Sequence, residues 1–225
     1  NEAERIGDTL RITLDYLAAN APRSELIVVN DGSTDATGTI AGKILAETNV
    51  ATGLLENFPN RGKGAAVRSG LLAARQPIGL FSDADLSTPL EETPKLIQPV
   101  ANGEVDIAFG SRALDRSLIG IHQPWRREQG GRVFNLLVRA ATRLPFWDTQ
   151  CGFKAFRLDV CRPILEAAQT NGFAFDVELL LLAHRAGLRI REIPVRWNHA
   201  AGSKVRFFHD SLRMLREVIA LRERA

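Results

Sequence analysis

Ile78-Gly79-Leu80-Phe81 is the stretch that most constrains what this chain can become. The short apolar run ends abruptly in Ser82-Asp83-Ala84-Asp85, as a strand buried on both faces does where it leaves a sheet. Leu26-Ile27-Val28-Val29 repeats the pattern and ends in Asn30-Asp31-Gly32-Ser33-Thr34-Asp35. Residues 105–109 repeat it again and end in Gly110-Ser111-Arg112. Between these runs the spacing predicts a helix over 36–47, a shorter strand over 50–56, a helix running to about 75 and another over 91–101. The loop Asn60-Arg61-Gly62-Lys63-Gly64 opens the second of these helices. Gly32 permits a tight turn, and Ser33, Thr34 or Asp35 can cap the helix that follows. Strand and helix alternate from 26 to 112, which predicts an α/β fold with a mostly parallel, doubly wound sheet flanked by helices.

The chain opens Asn1-Glu2-Ala3-Glu4-Arg5-Ile6 and enters a helical pattern at once (Ile6, Leu10, Leu14, Leu17). Domains of this kind normally start with a strand, so a first strand is expected to be missing ahead of Asn1. Beyond Arg112 the period is lost, and residues 113–128 read as a loop. Helices are predicted over 129–144, 160–168, 177–186 and 208–222, with a strand over 189–196. On the first of these helices Phe134, Leu137, Val138, Ala141 and Leu144 share one face, and Arg132, Arg139 and Arg143 share another. No repeat, low-complexity segment or internal linker interrupts the 225 residues, which suffice for one sizeable domain.

Net charge is only +3, so nucleic acid is not implied as a partner. Cys151 and Cys161 make neither a disulfide framework nor a metal cluster and fit a reducing compartment. No apolar run approaches the roughly 20 residues that span a bilayer.

The strand ends carry the chemistry. In an open α/β sheet, ligands bind outside the carboxyl ends of the strands. Asp83 and Asp85, spaced by one small residue, can share a hard cation such as Mg²⁺ or Mn²⁺, which completes its shell with phosphate oxygens and water. Asp31 can accept hydrogen bonds from a base or ribose. The backbone amides of Gly62 to Ala65 at a helix start, with Arg61 and Lys63, suit an anion. Arg112 can pair with a phosphate. Singly, each residue also fits a cap, a turn or a solvated charge; together they fit one nucleoside diphosphate with its metal.

These motifs resemble the family 2 glycosyltransferases of the GT-A fold: Val28 to Asp35, Asn60 to Gly64, Asp83-Ala84-Asp85 and Gly110-Ser111-Arg112. Asn1-Glu2 resembles the end of that family's Pro-x-Tyr-Asn-Glu motif. Asp148-Thr149-Gln150-Cys151-Gly152-Phe153-Lys154-Ala155-Phe156, Phe175-Asp176-Val177-Glu178-Leu179-Leu180 and Gly202-Ser203-Lys204 most resemble dolichyl-phosphate β-glucosyltransferases and their prokaryotic polyprenyl-phosphate relatives. The resemblance covers nearly the whole chain. It implies a donor half over about 1–112 and an acceptor half over about 113–225. It implies that Glu2 and Asp31 contact the nucleoside, and that Arg61 and Lys63 lie along the donor pocket. Asp83 and Asp85 handle the ribose and the diphosphate-bound metal, with Asp85 favoured as the direct ligand. Arg112 holds phosphate, as does Arg126 or Arg127 from the acceptor side, and Asp148 and Gln150 lie near the sugar. Asn30 departs from the family pattern, where many relatives carry Asp.

The implied reaction is an inverting transfer of a hexose, with UDP-glucose favoured, onto a dolichyl or polyprenyl phosphate. Such an acceptor is already anionic near neutral pH and needs no strong general base. This fits the absence of a histidine near the motifs: His122, His184, His199 and His209 all lie late in the chain. Catalysis then rests on positioning and electrostatics, with the metal and Arg112 offsetting the diphosphate and cations near Arg126, Arg127 and Arg132 bringing in the acceptor. From Trp125 to Trp147 the chain carries Arg126, Arg127, Arg132, Arg139 and Arg143 against Glu128 alone, flanked by Trp125, Phe146 and Trp147. Basic residues with aromatic ends suit an interfacial helix on an anionic membrane. The last helix, with Arg206, Arg213 and Arg216 beside Phe207, Phe208, Leu212 and Leu215, has the same character. Attachment is then peripheral, on the cytoplasmic face, or through parts absent from this sequence.

Other readings stay open. Asp83-Ala84-Asp85-Leu86-Ser87 resembles the nucleophile motif of haloacid-dehalogenase-type phosphatases, although that motif normally ends the first strand of its domain. The Gly-x-Gly-x-x-Gly fingerprint of dinucleotide folds is absent, and Lys63 is followed by Gly64 rather than the Ser or Thr of a P-loop. A GDP-mannose-dependent mannosyltransferase and a non-catalytic nucleotide- or lipid-binding module are the remaining alternatives.

Overall fold

The computed structural model describes residues 1–200 and 214–221. Helix α1 (Ile6–Asn20) comes first, then β1 (Glu25–Asp31), α2 (Thr37–Ala46), β2 (Ala51–Asn57), α3 (Lys63–Ala73), β3 (Ile78–Ser82), α4 (Thr93–Ala101) and β4 (Ile107–Ser111). This is the alternation that the apolar runs predict. A short strand β5 (Ile119–Ile121) follows, then α5 (Trp125–Thr142), β6 (Phe153–Arg157), α6 (Leu158–Ala167), α7 (Phe175–Arg185), β7 (Ile190–Pro194) and β8 (Trp197–Asn198).

Strands β3-β6-β4-β7 form one sheet, and β1-β2 and β5-β8 form two parallel pairs. β4 and β7 are parallel, whereas β6 runs antiparallel between β3 and β4. The sequence reading lacks β6, and the reason is Lys154. A lysine in the middle of a five-residue strand breaks the apolar run by which buried strands are recognised. In the ladder Lys154 stands opposite Phe81 on one side and Phe109 on the other. Paired residues share a face, so all three point to the same side of the sheet. That side holds the larger core, which includes Phe109, Phe156, Phe175, Leu179 and Leu180. The opposite side packs Ala108, Phe153 and Ala155 against Leu96 and Val100 of α4. The antiparallel course of β6 has a consequence for the site. Its first residue, Phe153, pairs with Ser82, so the segment 148–152 arrives where β3 and β4 end.

Among the described residues β1 has a ladder partner only in β2, and β3 only in β6. Between their free edges lies a cavity of about 1370 Å³, walled by Leu26 to Val29, Ile78 to Phe81 and faces of α1, α3 and α4. All seven residues of β1 are only partly buried, despite their apolar run.

Two further differences lie in the second half. Residues 113–128, read as a loop, contain β5 and the start of α5, which begins four residues before the predicted Gln129. The polar run Arg126-Arg127-Glu128 hides that first turn. The last described helix, over 214–221, buries Met214, Val218 and Leu221 in the main core and exposes Arg216. This stretch is therefore an ordinary amphipathic helix packed inward rather than an interfacial one. Arg206, Phe207, Phe208, Leu212, Arg213 and the Gly202-Ser203-Lys204 motif lie outside the described residues.

Candidate active site at the carboxyl ends of the sheet

The loop after β1 is organised by Asp31. Its carboxylate accepts hydrogen bonds from Asn57 Nδ2 (2.9 Å) and the backbone amides of Arg61 (3.0 Å) and Gly62 (2.7 Å). Asn60 Nδ2 donates to the Asp31 carbonyl at 2.5 Å. Gly32, at φ +71°, makes the turn that lets Asn60 approach, and a Cβ there would overlap the Asn60 backbone. Asp35 accepts from the Thr37 amide at 3.1 Å, one residue ahead of the usual capping position for α2. Asn1 and Glu2 are clamped to the same loop: Asn1 Oδ1 accepts from the Thr34 amide at 2.7 Å, and the Glu2 amide donates to Thr37 Oγ1 at 2.7 Å. The Glu2 carboxylate pairs with Arg5 at 2.9 Å.

The start of α3 differs from the anion seat expected there. The Gly62 amide is taken by Asp31, and the Gly64 amide donates to the Asn171 carbonyl at 2.7 Å. A Cβ on Gly62 would overlap Asn171 O, and one on Gly64 would overlap Thr170 O. These glycines admit the 170–171 backbone rather than a phosphate. Glu178 of α7 fixes that backbone from below, accepting from the amides of Gln169 (3.0 Å) and Thr170 (2.7 Å). Arg68 closes it from above, donating to Thr170 O at 2.5 Å and Asn171 Oδ1 at 2.6 Å.

Lys63 reaches out of α3 to Asp83, with Nζ 2.8 Å from Oδ1. Burial opposes its charge, but Asp83, Asp176 and Asp85 together hold its pKa above the ordinary lysine value. The Asp83 amide donates to the Gly152 carbonyl at 3.1 Å, and its carboxylate lies flat against the Gly152 Cα. A methyl group at that position would overlap the carboxylate. Gly152→Ala is therefore expected to cost about 1–3 kcal/mol, the usual penalty of overpacking, read as a lower denaturant midpoint. An unchanged midpoint would show that the two segments part freely.

Asp85 is exposed, and its carboxylate accepts from the Ser87 amide at 3.0 Å, closing a short turn. The described residues contain no cluster of three or more His, Cys, Asp or Glu side chains placed to hold a metal. A cation placed at this strand end would have Asp83 and Asp85 as its nearby carboxylate donors. That donor set fits Mg²⁺ or Mn²⁺ on a diphosphate. With Asp83 engaged by Lys63, Asp85 is the more available carboxylate.

Arg112, at the end of β4, is held by Asp148. Its Nε and Nη2 donate to the two carboxylate oxygens at 2.6 and 2.7 Å, and its backbone amide adds a third bond at 2.9 Å. Its guanidinium lies over the Trp197 ring, 5.5 Å from the centroid. Burial works against both charges, yet each holds the other: the Asp148 carboxyl lies below its usual range and the Arg112 guanidinium above its own. Asp148 is only 1% exposed. Its buried carboxylate holds Arg112 in place. Gln150 Nε2 stands 3.3 Å from Met214 Sδ.

The structure groups the predicted residues in two places. Glu2, Asp31, Arg61, Lys63 and Asp83 line the large cavity. Arg112, Arg127, Arg132 and Asp148 line a second cavity of about 350 Å³, with Arg116 and Arg139 beside them. Gln150 and Asp85 line neither, and the Arg126 side chain lies outside the described residues. Glu128 faces the cations of the second site: Arg116 bonds its Oε1, and His122 Nδ1 lies 3.2 Å from its Oε2. The sequence reading gives no role to Asp176, Glu178, Lys154 or Arg116, and places Arg139 only on the interfacial helix. The motif Phe175-Asp176-Val177-Glu178 is visible in the sequence, but nothing local shows that Glu178 holds the 169–170 backbone or that Asp176 pairs with Lys154.

The family model for glycosyl transferase family 2 matches residues 1–165. Glycosyltransferase AglD of Haloferax volcanii is 33% identical over 97% of this chain, which spans 35% of that protein's length. Dolichyl-phosphate β-glucosyltransferase of Saccharomyces cerevisiae is 34% identical over 99% of the chain and 71% of the enzyme. Glucosyl-3-phosphoglycerate synthase of Mycobacterium tuberculosis, solved with Mn²⁺, UDP and its product, superposes with a TM-score of 0.66. That match is 21% identical and covers 96% of this chain and 75% of the synthase. With Asp31, Asp83 and Arg112 at or just past the ends of β1, β3 and β4, the chain belongs to glycosyl transferase family 2 and has the GT-A fold.

Proposed function

We propose that this glycosyltransferase moves glucose from UDP-glucose onto a dolichyl or polyprenyl phosphate, with inversion, at the cytoplasmic surface of a membrane. Residues 1–112 bind the donor and residues 113–225 the acceptor. One observation supports the reading: the loop 148–152 contacts a residue of each of two cavities, with Gly152 against Asp83, which lines the first, and Asp148, which lines the second, on Arg112. A donor with an acid-lined diphosphate end and an anionic acceptor then meet across a single loop. The yeast relative's name gives the acceptor and sugar class, and the synthase was solved with UDP and Mn²⁺.

Within this reading Glu2 and Asp31 face the nucleoside, Arg61 and Lys63 flank the diphosphate, and Asp83 takes the ribose. Asp85, with Asp83 beside it, would hold Mg²⁺ or Mn²⁺, and a bound cation offsets charge on the departing diphosphate. Arg112, held rigid by Asp148, presents its remaining donors to phosphate. Arg127 and Arg132, which line the second cavity, screen repulsion between the two anions. An acceptor phosphate oxygen attacks C1 of the sugar, the C1–O bond to UDP breaks, and UDP leaves with that electron pair. No side chain need remove a proton, which suits a site where His122 is occupied with Glu128.

Membrane contact rests on α5. Phe134 and Val138 face the core, whereas Val133 (57%), Leu136 (56%) and Leu137 (44%) stay exposed beside Trp125 (73%) and Trp147 (49%). Arg139 stacks on Trp147 at 3.6 Å. An outward apolar stripe edged by arginines suits the headgroup region, and no described helix is long and apolar enough to cross a membrane. The test is transfer of radiolabelled glucose from UDP-glucose to polyprenyl phosphate in vesicles containing phosphatidylserine. Lipid-linked glucose formed with Mn²⁺ supports the reading. Free glucose, or no product from a folded sample that binds the vesicles, would overturn it.

A further inference from the structure

Lys154 is fully buried in the central strand of the four-stranded sheet, a place where a lone ammonium is strongly disfavoured. Its Nζ lies 2.6 Å from Asp176 Oδ1 and donates to the Cys151 carbonyl at 2.5 Å. The rings of Phe81 and Phe109 sit 5.5 and 5.7 Å from it. A dry pair of this kind is weak evidence for stability, because apolar residues of similar volume often replace it without loss. Its geometry shows a different use. Cys151 is the neighbour of Gly152, against which Asp83 rests. The charge of Asp176 acts on the Lys63 ammonium in the same sense as that of Asp83. Phe175, next to Asp176, carries Lys63 over its ring at 5.9 Å and packs on Phe81 at the same centroid distance. Lys154 therefore reaches Asp83 by two routes, through the 151–152 backbone and through Asp176 and Lys63.

We infer that Lys154 and Asp176 are positioning residues that fix the Lys63–Asp83 contact, and through it the orientation of the Asp-x-Asp carboxylates toward a nucleoside diphosphate. The inference rests on the proposed function for the ligand but not for the geometry. Lys63 has two carboxylates to choose between. Asp176 is paired with Lys154, and Lys63, held over Phe175, makes its direct bond to Asp83. Without the buried pair, Lys63 and the Gly152 loop lose their common reference, and Asp83 is free to turn.

The experiment compares the full-length protein with Lys154→Met/Asp176→Leu and with Lys154→Gln/Asp176→Asn, which removes the charges but keeps polar partners. Thermal midpoints, crystal structures, and titration calorimetry of UDP and of GDP with Mn²⁺ are measured for each. The expected result is an apolar double variant with a midpoint near that of the parent and a Lys63–Asp83 separation beyond 4 Å. Affinity for the nucleotide that the parent binds falls at least tenfold, with partial recovery in the Gln/Asn variant. A retained short contact with unchanged affinity overturns the inference. So does the failure of both double variants to fold, which makes the pair a requirement of the fold. If the parent binds neither nucleotide, the functional reading fails, and the Lys63–Asp83 separation still decides the positioning role.

Discussion

Asp85→Ala is expected to lower metal-dependent transfer by roughly a thousandfold, the scale lost when a main electrostatic contributor leaves a transition state. Stability should move little, because Asp85 is exposed and its carboxylate closes only the turn to Ser87. Such surface changes stay within about 0.5 kcal/mol. Asp83→Ala differs. It releases Lys63 from its direct partner and empties the space over Gly152, so it lowers both activity and stability. Initial rates at saturating Mn²⁺, beside urea midpoints, separate the two. Equal loss of stability in both variants would show that Asp85 is part of the scaffold.

Asp148→Asn is expected to cost about 3 kcal/mol, because it leaves the Arg112 charge in a largely dry site without its carboxylate. The pH dependence carries the same signature. The Asp148 carboxyl is held below its ordinary value by Arg112, against the effect of burial. Its folded pKa is thus lower than its unfolded one of about 3.9. The stability it contributes is fully present above that unfolded value and is lost as pH falls through the folded one. The gap between parent and Asp148→Asn midpoints should be constant near neutrality and shrink below about pH 4. A gap that is the same at every pH would show that the ion pair contributes nothing.

The first half of the fold is legible because its signals are local. Each apolar run from Leu26 to Phe109 ends in a polar residue that the sheet then presents at its carboxyl edge. Asp31, Asp83 and Arg112 can be picked from the chain for that reason alone, and Lys63 from the glycine-rich loop that opens α3. What they touch is less visible, since Asp31 binds the very amides expected to bind an anion and Arg112 is bound by Asp148. The second half depends on pairings distant in sequence. Lys154 disguises β6 because its counter-ion lies on α7, and the partner of Asp148 lies back on β4. α5 carries apolar residues on two faces, so one stripe alone does not predict which is buried.

The central claim is that the strand ends bind a sugar nucleotide through a cation held at Asp85. Calorimetric titration of UDP-glucose into the folded protein, with and without Mn²⁺, tests it most directly. Binding that tightens with Mn²⁺ and disappears in Asp85→Ala is the predicted result. A folded protein that binds neither UDP-glucose nor GDP-mannose under either condition would contradict it.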